Sequence, residues 1–91
     1  MDQFRNIGLI GRMGSAKVIE TLRKLRKFLI SEGYYLIIEE NIGALIPGHG
    51  LQVSSVKSMG EMCDLVIVVG GDGSLLGAAR ELAKSNIPLL G

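Results

Sequence analysis

Cysteine is nearly absent. Cys63 stands alone among 91 residues, so no internal disulfide framework exists, and a chain without one belongs by default to the cytoplasm. Charge of one sign is missing too. The net charge is +1, which gives no bulk attraction for nucleic acid or an anionic membrane. No apolar run reaches the roughly 18 residues a membrane-spanning helix needs. The start, "MDQFRNIGLIG", carries an acid at Asp2 and only a short apolar run, so it does not read as a secretory signal. Internal repeats and low-complexity segments are also lacking. What remains is apolar: hydrophobic residues make up 47% and mean hydropathy is +0.36. The length suits one small domain with one core, and a small domain has much surface to keep wet. An apolar excess of this kind predicts that another domain or subunit covers part of the surface. The last residues, "NIPLLG", read as a strand barely begun, as in a fragment cut just after a strand.

Along the chain, Phe4 to Ile10 reads as a first strand, with Gly8, Gly11 and Gly14 in a loop that follows. Ser15 is placed to cap a helix from Ala16 to Glu32. There Val18, Ile19, Leu22, Leu25 and Leu29 recur at three- and four-residue spacing, with Phe28 and Ile30 at the edges of the stripe. Gly33 is a natural stop. Tyr34 to Glu40 reads as a second strand, apolar enough to be covered on both faces. Asn41 to Ser58 is a loop region containing the turn "PGHG" and a short edge strand in "LQVSSV". One helical turn follows from Ser58 to Cys63, then an apolar strand from Leu65 to Val69. A second helix spans Ser74 to Lys84, with Leu75, Leu76, Ala78, Ala79, Leu82 and Ala83 inward, and a final strand begins at Pro88. This alternation predicts an α/β fold: an open, mostly parallel sheet with helices on both faces, in three layers, over residues 1–91.

In such sheets ligands bind beyond the carboxyl ends of the strands. The segment "VIVVGGDGSLLGAAR" puts three glycines and one acid, Asp72, at that end. Glycine lets a ligand approach the backbone with no Cβ in the way. The first amides of the following helix favour anions, phosphate above all. A carboxylate among them repels phosphate. It makes sense if it accepts a hydrogen bond from a substrate hydroxyl, or faces a metal that bridges to phosphate. A hydroxyl about to attack a phosphoryl group must lose its proton, and a carboxylate in reach takes it. The plainer reading is that Asp72 caps the helix, with Ser74 opening it.

Other candidates carry less. The first glycine set matches neither the G-x-G-x-x-G fingerprint nor a Walker A loop and reads as a strand-to-helix turn. His49 reads as a solvated loop residue, and Cys63 as a small buried hydrophobe. Arg23, Lys24, Arg26 and Lys27 form the wet side of a helix, with Glu20 placed to pair with Lys24. Arg80 bridges to neighbours such as Glu81 or to a partner domain.

"VIVVGGDGSLLGAAR" closely resembles the Gly-Gly-Asp-Gly segment of bacterial NAD kinases. "FRNIGLIGR", "LRKFLISEGY", "LIIEE", "MGEMCDLVIVVGGDG" and "ARELAKSNIPLLG" resemble that family in the same order. Lipid kinases share the motif, typically with Thr where Ser74 stands. Phosphofructokinases carry a second Gly-Gly-Asp after the first strand, where this chain reads "GLIGRMGS". The resemblance implies a Rossmann-like, phosphofructokinase-like N-terminal domain. It implies transfer of the γ-phosphate of ATP to the 2′-hydroxyl of the adenosine ribose of NAD, with a divalent metal, usually magnesium. By resemblance Asp72 is the proton acceptor, Gly73 shares the nucleotide contact and Gly71 shapes the turn. Some relatives carry a basic residue where Gly77 stands, and no side chain makes that contact here. The family's second, mostly β domain is not in this chain, and full-length members are homodimers or homotetramers. The alternatives left open are a sugar-phosphate or lipid kinase, and a non-catalytic nucleotide-binding module.

Overall fold

The structure, a computed structural model, describes residues 5–91. The predicted start of the first strand at Phe4 lies outside them. The order is β1 (Asn6–Gly11), α1 (Ala16–Ser31), β2 (Tyr35–Glu39), α2 (Glu40–Gly43), β3 (Gln52–Ser54), α3 (Val56–Met62), β4 (Leu65–Val69), α4 (Asp72–Glu81) and β5 (Leu89–Leu90). The five strands form one sheet in the order β3-β2-β1-β4-β5, and every pairing is parallel.

The two-residue period of the strands divides the core. Ile7 and Leu9 of β1 and Leu36 and Ile38 of β2 pack against Val18, Leu22 and Leu29 of α1, with Ile42 and Ile46 beside them. On the other face Ile10, Ile37, Val66 and Val68 meet Met59 and Cys63, and Ala78 and Leu82 of α4 and its end. Helices therefore cover both faces of the sheet, as the alternation predicts, and β2 is buried from Leu36 to Glu39. Cys63 is buried, as a small hydrophobe should be.

Ser15 caps α1 through a hydrogen bond to its side chain from the Val18 amide at 3.3 Å. Gly33 follows the helix with φ +90°, where glycine carries no Cβ penalty. Lys24 and Glu20 lie 4.0 Å apart on the exposed side.

Several expectations need correction. Gly8 and Gly11 are not loop residues; they lie within β1. A Cβ on Gly8 would sit 2.9 Å from the Met59 sulfur, and one on Gly11 would sit 2.7 Å from Leu22 Cδ1. These glycines let helices approach the sheet. The acidic end of β2 starts a short helix: Glu39 accepts from the amides of Asn41 and Ile42 at 2.8 and 3.0 Å. A carboxylate is buried there because its oxygens replace the missing helical partners. The single turn expected at Ser58 is the two-turn α3, which starts earlier because Ser55 caps it through the Ser58 amide. On α4 only Ala78 and the following Leu82 are fully buried. Leu75 and Ala79 are half-buried, and Leu76 and Ala83 are exposed. The inward face of α4 is narrower than the spacing predicts, because the helix packs on the sheet along one seam. Among the described residues no helix is long and apolar enough to cross a membrane.

Candidate functional site

From β1 the chain moves outward to β2 and β3, then returns to the other side of β1 for β4 and β5. The strand order therefore reverses between β1 and β4. Outside the carboxyl ends at such a switch point, loops diverge to opposite faces and leave a crevice. The register makes the two strands end level: Ile10 pairs with Val68 and Gly11 with Val69.

Two loops leave side by side and touch. The Arg12 amide donates to the Val69 carbonyl at 2.9 Å. Gly70 lies against Arg12 so closely that a Cβ there would collide with Arg12 Cβ and sit 3.1 Å from its backbone nitrogen. Gly70 and Gly71 have φ of +136° and +117°. At Gly70 glycine is required twice over, by conformation and by contact, and at Gly71 by conformation alone. Gly71 and Gly73 meet the opposite condition. A Cβ on either would find nothing within 4 Å, so the backbone stands open to a ligand.

Gly71 is the N-cap of α4, and no side-chain hydrogen bond caps this helix. The first helical bond runs from the Leu75 amide to the Gly71 carbonyl, 3.1 Å. The amides of Asp72, Gly73 and Ser74 precede it and have no intrahelical acceptor. This corrects the expected start of the helix. Ser74 is its third residue rather than its opener, and Asp72 is its first residue rather than its cap. The helix begins two residues early because glycine at the cap and an acid in the first turn both favour initiation. Asp72 is exposed, so its carboxylate faces solvent at the mouth of the crevice.

Arg12, Gly70, Gly71, Asp72, Gly73 and Ser74 line a cleft of about 470 Å³. It continues on one side into a cleft of about 350 Å³ that shares Arg12 and Ser74 and is bounded by Met13, Val56 and Gly77. On the other side Gly70, Gly71 and Asp72 also border a space of about 330 Å³ walled by Leu75 and Leu90. The predicted residues Gly71, Asp72 and Gly73 are thus brought together. Arg12 joins them and was missed. The signal was a cation one residue past β1, in "LIGR", level with the glycines after β4.

Residues 7–91 match the family described as ATP-NAD kinase N-terminal domain. The chain belongs to that family. Proteins named NAD kinase from Marinobacter nauticus, Hahella chejuensis and Pseudomonas syringae pv. syringae are 70%, 66% and 63% identical to it over all 91 residues. The chain spans 31% of the length of each.

The remaining candidates of this family member lie away from the crevice or do structural work. His49 is half-buried rather than solvated. Its Nδ1 accepts from the Leu51 amide at 2.8 Å, while its carbonyl accepts from Arg26 Nε at 2.7 Å. It pins the Pro-Gly loop to α1. Arg26 is accordingly not part of a purely wet face. Cys63 has its thiol pushed up to about 11, chiefly by burial and then by the neighbouring Asp64 charge. It keeps its proton at neutral pH and is a poor nucleophile. Asp64 is held below the usual carboxylate range by the amides of Asn6 and Arg5. It ties β1 to β4 at the end opposite the crevice. Arg80 is exposed and makes no ion pair among the described residues.

The donor set bears on a metal. Among the described residues no three His, Cys, Asp or Glu side chains cluster to hold one. The main cleft offers one carboxylate, Asp72. Magnesium keeps several waters and often binds through one or two carboxylates plus substrate phosphates. One carboxylate beside free amides therefore fits an ion that arrives on a nucleotide.

Proposed function

We propose that this chain is the N-terminal domain of a longer NAD kinase, and that its crevice holds the adenosine ribose of NAD with the 2′-hydroxyl against Asp72. The observation that carries the reading is the position of Asp72. It is exposed in the first turn of an uncapped helix, between two glycines whose open sides face no other atom. A carboxylate needed only to cap a helix belongs one residue earlier. The names of the relatives support the same reading.

The chemistry follows. The Asp72 carboxylate accepts the proton of the 2′-hydroxyl as that oxygen attacks the γ-phosphorus of ATP. An oxygen–phosphorus bond forms, the bond from the γ-phosphorus to the β,γ-bridging oxygen breaks, and ADP leaves with that electron pair. The products are NADP and ADP, and the proton passes from Asp72 to solvent. Magnesium arriving on the ATP phosphates would supply charge neutralisation there, and Asp72 is the carboxylate of the main cleft that would hold it. The free amides of α4 favour the phosphoryl oxygens, and the bare backbone at Gly71 and Gly73 permits the approach.

The test is Asp72→Asn in the full-length protein, assayed with ATP, magnesium and NAD. The expected result is a fall in kcat of about 10²-fold or more, the scale of general-base catalysis, with NAD binding kept. Unchanged turnover would remove the base from the mechanism. Wild-type protein that phosphorylates a sugar phosphate or a lipid but not NAD would move the reading to another kinase of this motif. Nucleotide binding with no transfer at all would leave a binding module.

A further inference from the structure

The cleft that holds Asp72 poses a charge problem. The phosphoryl group under attack must lie beside the very carboxylate that takes the proton. Two anions in contact repel, and in a partly closed site the cost is larger than in water. A metal on the phosphate chain would offset part of it, and a protein cation beside the acid would offset more. The amides of α4 contribute only partial charge.

Arg12 is the cation that lines this cleft among the described residues. Its root is fixed from two sides. The backbone amide donates to the Val69 carbonyl at 2.9 Å, and the Cβ abuts Gly70. Its guanidinium has no ion-pair partner among the described residues. Arg12 also borders the adjoining cleft that contains Met13, Val56 and Gly77. It therefore stands at the junction of two spaces, next to the acid and rooted by backbone. A guanidinium there presents planar paired donors suited to phosphoryl oxygens.

We infer that Arg12 binds the transferable phosphate of the donor nucleotide and balances its charge against Asp72. The inference rests on the kinase reading above. Phosphate chemistry has two sources in this reaction, the ATP chain and the pyrophosphate of NAD. The transferable phosphate is the one that must share a cleft with Asp72, so Arg12 is assigned to ATP.

The experiment uses full-length protein with Arg12→Ala, Arg12→Gln and Arg12→Lys, measuring kcat and KM for ATP and for NAD separately. Truncation to alanine keeps the Cβ that meets Gly70 and the amide that meets Val69, so the loop should hold. Thermal melting and circular dichroism check this. If Arg12→Ala melts early, Arg12→Gln, which keeps most of the side chain, carries the test. The expected result is a loss of tenfold or more in kcat/KM for ATP in the alanine and glutamine variants. KM for NAD should stay within twofold, and lysine should restore part of the loss. Titration of a non-hydrolysable ATP analogue should show weaker binding to Arg12→Gln by a similar factor. An effect confined to KM for NAD would assign Arg12 to the dinucleotide and overturn the inference. ATP parameters within twofold of wild type would overturn it as well. Failure of the kinase reading looks different: wild-type protein would then form no NADP, whatever stands at position 12.

Discussion

At the residue scale the loops that follow β1 and β4 hold two kinds of glycine. Gly70 is required by contact and by conformation, whereas Gly14 is required by conformation alone: its φ is +81° and a Cβ there would touch nothing within 4 Å. The two substitutions should separate these effects. Gly14→Ala should cost on the order of 1 kcal/mol, the penalty of one residue in a left-handed well. Gly70→Ala should cost more, about 2–4 kcal/mol, because it adds the displacement of Arg12 to the same backbone strain. Urea melts of the two variants check the order. Equal losses would mean that the β1 and β4 loops do not press together. The sequence marked Gly70 to Gly73 as a site because three glycines in four residues exceed what a turn needs. It did not mark Arg12, since contact between two loops 58 residues apart depends on strand order, and one strand's residues do not reveal their neighbours.

At the element scale local signals predicted what local forces decide. The Ser15 cap and Gly33 stop bound α1 to within a residue, and the five apolar residues before the glycine turn form β4 over the expected range, Leu65 to Val69. Ser15→Ala should cost about 1 kcal/mol, the usual loss of a side-chain cap. Thermal or urea melting against wild type would show it. No loss would mean that the Val18 amide finds another acceptor. What the sequence hid were elements set by long-range packing. Glu40 continued the apparent strand, yet the buried Glu39 turns its oxygens onto the next amides and starts α2. The α3 helix starts two residues before the expected turn at Ser58, because Ser55 caps it and Val56 packs against the apolar cluster of the sheet. On α4, six apolar positions read as one inward face, while only Ala78 and the following Leu82 are fully buried, Leu75 packs against the same cluster in part, and Leu76 and Ala83 stay exposed.

At the scale of the whole molecule, exposed large apolar side chains are spread over several elements, Phe28 on α1, Tyr35 on β2 and Val53 on β3 among them, and three more lie on α4, on β5 and beside the crevice. Leu76 on α4 is 63% exposed, Leu90 on the edge strand β5 is 54% exposed, and Met13 beside the crevice is 51% exposed. Burying a leucine side chain gains about 1.5–3 kcal/mol, so leaving several wet forfeits stabilisation that a covering surface would recover. The chain spans 31% of the length of its relatives, and the sequence-based expectation is that another domain or subunit covers part of this apolar surface. A pair of measurements tests this. In the 91-residue chain alone, Leu76→Glu should change stability by no more than about 0.5 kcal/mol, as for any exposed position. In the full-length protein the same substitution should destabilise by about 2 kcal/mol or more, because a carboxylate would enter an apolar contact. The isolated chain should also form negligible NADP from ATP, magnesium and NAD, since one wall of its cleft would be missing. Equal small effects of Leu76→Glu in both proteins would leave α4 as an outer surface. Robust activity of the isolated chain would show that the crevice between β1 and β4 suffices for catalysis.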